Sequence, residues 1–108
     1  MNIEFHLPHG KVSERIVGDM RRELLKLYHD DRDISRAQVY FKEFGKMNVV
    51  QHCIIDLTIY GNRIKIRREA NSFQLAAKKA LADIKERVEL LIEKKDAFSE
   101  ELTTTVNV

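Results

Sequence analysis

The sequence predicts an α+β fold, a two-layer sandwich in the order β-α-β-β-β-α, with a four-stranded mixed sheet and both helices on one sheet face. Three observations carry this. Stretches around 2–7, 36–42, 53–60 and 63–67 alternate apolar and polar residues with the period of a half-buried strand. Stretches 13–28 and 73–92 space their apolar residues by three and four, as amphipathic helices do. The length, 108 residues, supplies one hydrophobic core and is too short for two.

In the first strand Ile3, Phe5 and Leu7 alternate with Asn2, Glu4 and His6, and Pro8-His9-Gly10 ends it. Ser13 is the expected N-cap of a helix that buries Ile16, Val17, Met20, Leu24, Leu27 and Tyr28. Gly18 weakens that helix by up to about 1 kcal/mol relative to Ala, so packing must hold it. The acidic loop His29-Asp30-Asp31-Arg32-Asp33 follows. The second strand then places Ala37, Val39 and Phe41 inward, and a turn is expected over Phe44-Gly45-Lys46-Met47-Asn48.

The third strand puts Cys53, Ile55, Leu57 and Ile59 on one face and Ile54, Asp56, Thr58 and Tyr60 on the other. Gly61-Asn62 is the expected hairpin turn, because both residues tolerate positive φ. The fourth strand turns Ile64 and Ile66 inward and Arg63, Lys65 and Arg67 outward. Asn71 with Gln74 forms a capping-box pattern, and Ser72 is an alternative cap. The second helix buries Phe73, Ala77, Ala80, Leu81, Ile84, Val88, Leu91 and Ile92. Periodicity ends at Asp96, so 1–95 is read as the domain and 96–108 as a flexible, acidic and Thr-rich tail. A helix joins the first two strands, which predicts a parallel pair with a right-handed crossover. The last three strands form an antiparallel meander, with Tyr40, Tyr60, Arg63, Lys65 and Arg67 on its open face.

No apolar run approaches the ~20 residues that cross a bilayer, and MNIEFHLPHG lacks a signal pattern, so a cytoplasmic protein without membrane contact is expected. The lone Cys53 sits in an apolar strand, where burial raises a thiol pKa. Four histidines are scattered, and the four glycines are isolated rather than gathered in a phosphate loop. The chain is therefore expected to be no enzyme, with no catalytic residue, metal, cofactor or small-molecule substrate. Within 1–95 there are 19 basic and 14 acidic residues, a net of +5 that suggests nucleic acid.

The basic residues form the remaining constellation. Arg15, Arg22 and Lys26 lie along one line of the first helix, with Arg21 alongside. Lys78 and Lys85 stand one heptad apart on the second, with Lys79 and Arg87 nearby. A solvated face laced by ion pairs explains each singly, with Asp83 four before Arg87 and Lys85 four before Glu89. Two helices in one layer align their outer faces, however, and as a set these residues form a surface that tracks phosphates without reading bases. Arg22, Lys26, Lys78, Lys79, Lys85 and Arg87 are the candidate RNA contacts, joined by Lys65 and Arg67 of the fourth strand. Tyr40 and Tyr60 are read as filler on the open face or as base-stacking platforms.

The segment CIIDLTIYGNRIKIRREANSFQLAAKKALADIKERV, with this element order and length, resembles the ribosome hibernation-promoting factor family. That family includes the ribosome-associated inhibitor A proteins, formerly called sigma-54 modulation proteins. The likeness spans roughly 1–95 and is strongest where Glu69-Ala70 leads through a polar cap into Phe73-Gln74-Leu75-Ala76-Ala77. Lys26-Leu27 also matches the family's Lys-Leu near the end of the first helix. The chain departs from the family pattern at Lys78, where members usually carry Asp, and over Asp83-Ile84-Lys85-Glu86-Arg87.

The resemblance implies a fold similar in topology to double-stranded-RNA-binding domains. It implies a bacterial protein that binds rRNA of the small ribosomal subunit near the decoding region through basic helix faces. Such a protein blocks mRNA and tRNA access during starvation or stationary phase, here as a short form without the ribosome-pairing domain of longer members. The alternative is a protein-binding regulator of the sigma-54 modulation type that does not bind ribosomes.

Overall fold

Alternation of side chains decides the sheet. In the computed structural model the chain runs β1 (Asn2–His6), α1 (Glu14–Asp30), β2 (Ile34–Phe44), β3 (Val50–Ile59), β4 (Asn62–Ala70) and α2 (Phe73–Val106). The structure describes residues 2–8, 12–30, 33–47 and 49–106, and the side chains of residue 30 and of 94–106 are outside that description. The four strands form one sheet in the order β1-β2-β3-β4, with β1 parallel to β2 and the other pairs antiparallel. This is the expected α+β sandwich in the expected β-α-β-β-β-α order.

Register turns the apolar alternation into continuous rows across the sheet. Ile3, Ala37, Leu57 and Ile64 form one row, and Phe5, Val39, Ile55 and Ile66 the next. Met20, Leu24 and Leu27 of α1 and Phe73, Ala76, Ala77, Ala80, Ile84 and Val88 of α2 complete the core against them. Phe41 meets Phe73 edge to face at 5.4 Å, which anchors the start of α2 to β2. Small residues on the first turns of α2 let its backbone approach the sheet, and larger Ile84 and Val88 fill the space beyond them.

Ser13 caps α1 as expected, its Oγ accepting the Ile16 N–H at 3.3 Å. Of the two caps offered for α2, Ser72 is the one used: its Oγ accepts the Leu75 N–H at 3.2 Å and its carbonyl the Ala76 N–H at 3.0 Å. The hairpin turn is displaced by one residue from the expected Gly61-Asn62. Ile59 pairs with Asn62, so Tyr60 and Gly61 occupy the tip with φ of 52° and 75°. Positive φ at both tip residues matches the right-handed twist of the flanking strands. Tyr60 consequently leaves the open face and packs against the core cluster.

The backbone of 96–106 continues α2 through most of the segment read as a tail. The tail's side chains and residues 107–108 lie outside the described residues, as do His9-Gly10, Asp31-Arg32 and Asn48 of the expected turns and loop. Among the described residues no helix is long and apolar enough to cross a membrane.

Two outcomes test this packing. An added methyl at Gly18 meets nothing within 4 Å. Gly18→Ala therefore raises unfolding stability by up to about 1 kcal/mol, measured by urea denaturation; a loss of stability would place an unseen neighbour there. Burial pushes the Cys53 thiol up to about 12. Its reaction with a thiol reagent near pH ~8 is then negligible in the folded protein and complete in denaturant.

Candidate nucleic-acid interface

Against the sheet, α2 exposes two flanks with different neighbours. Toward α1, the Glu23 carboxylate accepts hydrogen bonds from Lys85 Nζ at 2.6 Å and from Lys26 Nζ at 3.2 Å. Those lysines, Lys85 first, hold the Glu23 carboxyl below its ordinary value of 4.5. Arg22 lies beside them on α1, paired with Asp19 at 3.4 Å. Lys78 is exposed one heptad before Lys85, on the same flank.

Toward β4 lie Lys79 and Arg87. Lys79 shares a cleft of about 500 Å³ with His52, Arg67, Arg68 and Glu69. Arg87 shares one of about 240 Å³ with Arg63, Lys65, Ile64, Leu90 and Leu91. The eight candidate residues therefore do not converge on one surface. Arg22, Lys26, Lys78 and Lys85 form a tract at the helix seam. Lys65, Arg67, Lys79 and Arg87 form a second tract around the free edge of β4. Among the described residues, no carboxylate lies within ion-pair distance of Lys65, Lys78, Lys79 or Arg87.

The expected ion pairs within α2 give way to pairs between elements. Lys85 reaches Glu23 rather than Glu89, and Asp83 reaches Arg68 at 3.3 Å rather than Arg87. A helical i,i+4 pair contributes only about 0.2–0.5 kcal/mol, so a partner presented by a packed neighbour readily replaces it.

Two arginines outside the candidate set matter as well. Arg63 grips Asp56 with two guanidinium nitrogens, one of them Nε at 3.3 Å from Oδ1. Asp56 is only 8% exposed. Hydrogen bonding to Asp56, and then the charge of that carboxylate, raises the Arg63 pKa further. Arg63 thus serves a buried carboxylate. Arg68 ends the inward row Phe41, Cys53, Arg68, where it meets Asp83. A charge at inward parity after Ile64 and Ile66 is the sequence signal that could have found it.

The open sheet face is a bonded network. His6 stacks on Tyr40 with ring centroids 4.4 Å apart, the Tyr40 hydroxyl donates to Gln38 Oε1 at 2.8 Å, and the Gln38 amide donates to Glu4 at 3.1 Å. Tyr40 is thereby engaged as filler. Among the described residues no group of three His, Cys, Asp or Glu could hold a metal. His9 lies outside them.

The depressed Glu23 pKa sets a sign for pH dependence. Its contribution is fully present above pH 4.5 and is lost as pH falls through the lower folded value. The pair lies at the rim of the seam, with 43% of the Lys85 side chain and 28% of that of Glu23 exposed, so water screens it. Glu23→Gln accordingly costs about 0.2–1 kcal/mol near neutral pH in urea titrations, and the gap to the parent closes in acid. A gap that is constant with pH would mean that the carboxylate charge is not what Lys85 and Lys26 use.

No family model and no curated protein sequence matches the chain. Solved structures do match it. The crystal structure of the Thermus thermophilus Protein Y N-terminal domain is similar at a TM-score of 0.68 and 18% identity, over 84% of this chain and 99% of that one. A ribosomal subunit interface protein from Coxiella burnetii is similar at a TM-score of 0.67 and 14% identity, over 90% of this chain and 99% of that one. At such identities the shared quantity is the fold, and the chain has the fold of these two proteins.

Proposed function

We propose that this chain is a ribosome-associated translation inhibitor, a hibernation factor that binds rRNA of the bacterial small subunit near the decoding region. Bound there, it blocks mRNA and tRNA by occupying their path under starvation or stationary phase. It acts in the cytoplasm as a binding protein and performs no chemistry. The observation that carries the reading is the pair of cationic tracts flanking α2, on the fold of a protein named for the ribosomal subunit interface. Lys65, Lys78, Lys79 and Arg87 supply phosphate contacts directly. Arg22, Lys26 and Lys85 join them after exchanging Asp19 or Glu23 for phosphate.

Steric blockade suits this architecture. A rigid two-layer domain needs no moving part to occupy a channel, and contacts to phosphates hold position without reading sequence. The fold places tracts on both flanks of α2, so the helix can be held from two sides.

The test is co-sedimentation with vacant bacterial ribosomes in sucrose gradients, at low and high salt. The expected result is comigration with the small subunit that weakens as salt rises. Lys78→Gln combined with Arg87→Gln flattens the dependence of log K on log salt by about 0.7–0.9 for each phosphate no longer neutralised. Absence of comigration even at low salt would overturn the proposal in favour of a protein-binding regulator.

A further inference from the structure

The β2–β3 hairpin tip sets an apolar surface beside the cleft in which Arg67 and Lys79 of the second tract meet. Phe44, Met47 and Val49 are all exposed on the tip, Met47 at 96%. Single exposed apolar residues are ordinary on a protein surface. Three within six residues, with Lys42 before them and Lys46 among them, form an apolar tip with a positive rim. The neighbouring carboxylate, Glu43, accepts a hydrogen bond from the Gln51 amide at 3.0 Å.

The tip is joined physically to the Lys79 cleft. His52, 6% exposed, meets the Phe44 ring edge to face at 4.7 Å. Its Nδ1 accepts a hydrogen bond from Arg67 Nε at 3.1 Å. The Arg67 guanidinium is thus held 5.5 Å over the Phe44 ring, and among the described residues its terminal nitrogens have no hydrogen-bond acceptor. Arg68 lines the same cleft, fixed by Asp83. Lys79 brings an ammonium without a described carboxylate partner. Glu69 is the one carboxylate in the lining. It is directed at His52 Nε2, 3.5 Å away, with 68% of its side chain exposed.

We infer that this corner is a binding site for an unpaired RNA strand, with a phosphate held in the cleft by Arg67 and Lys79 and an adjoining base packed on Phe44 and Met47. The chemistry requires both halves. Cations alone serve a duplex equally well, whereas an apolar tip finds a partner only in a base face that duplex stacking hides. Burial of His52 and the Phe44 contact pre-position Arg67, which reduces the ordering cost of binding. The strand's own phosphates complement the rim of Lys42 and Lys46. The inference rests on the proposed ribosomal role and deepens it by naming single-stranded RNA as what one corner of the domain contacts.

The experiment is fluorescence anisotropy with a short labelled single-stranded RNA, a duplex of the same length, and inorganic pyrophosphate as competitor. It uses the full chain and compares the parent with Arg67→Gln/Lys79→Gln and Phe44→Ser/Met47→Ser. Circular dichroism checks that each variant is folded. The expected result is preferential single-strand binding. The Arg/Lys variant lowers the salt slope by about 0.7 for each phosphate no longer neutralised. The Phe/Met variant weakens binding by roughly ten-fold at an unchanged slope.

Equal affinity for duplex, full retention of binding in both variants, or no strand binding by the parent would each overturn the site. Ribosome co-sedimentation of the same proteins separates the two readings. Strand binding without ribosome binding overturns the proposed function and keeps the site. Ribosome binding undisturbed in variants that no longer hold the strand, or in a parent that binds none, keeps the function and removes the site from it.

Discussion

β3 is enclosed on both faces, and the rest of the molecule is arranged to achieve that. Cys53, Ile55, Leu57 and Ile59 are fully buried under the two helices, while His52, Ile54 and Asp56 are buried on the face that has no helix. On that second face the cover comes from the neighbouring strands, with Tyr40 and Arg67 flanking Ile54 in register and Gln38 and Lys65 flanking Asp56. Long polar side chains lay their stems over apolar surface and keep their heads in water. A sheet with helices on one side thereby protects its centre and remains charged outside. Burying Asp56 is costly unless it is paired, and the two-nitrogen grip of Arg63 meets that demand.

That arrangement sorts the arginines and lysines into two populations. Arg63, Arg68 and Lys85 hold carboxylates on other elements and so help to fix how strands and helices meet. Lys65, Lys78, Lys79 and Arg87 have no such described partner and present their charge outward. A net charge of +2 for the whole chain conceals this division. What a polyanion meets is the local cluster of cations at the helix seam and at the free edge of β4. Glu23 is the exception at the seam, since it already serves two lysines at once.

The shared fold of the two solved structures and the division of charge are separate observations, and the proposed function draws on both. A fold can host many functions, so the proposal of RNA as partner rests on the surface. The surface offers cations on both flanks of one helix and an apolar hairpin tip joined to one of them through His52, Phe44 and Arg67. The open sheet face commits its groups to one another, as the chain of contacts from His6 through Tyr40 and Gln38 to Glu4 illustrates.

The elements, their order, the parallel first pair and most of the inward rows were legible in the residue pattern, whereas Leu7, expected inward, lies past the end of β1 and is exposed. Period-two alternation in β3 and three-and-four spacing in α1 and α2 leave one way to bury the apolar residues. Ser13 as a cap and Cys53 as a buried thiol follow from local chemistry of the same kind. Other features depend on how those elements pack. The hairpin tip moved to Tyr60-Gly61 because strand register, set by matching Ile55 to Ile66 and Leu57 to Ile64, leaves those two residues unpaired. Ion pairs left their own helix because Glu23 and Arg68 are presented by packed neighbours. The candidate cations divided between a seam and an edge for the same reason. Spacing along one helix shows which residues share a face, but the neighbour lying against each flank is known only once the helix is packed.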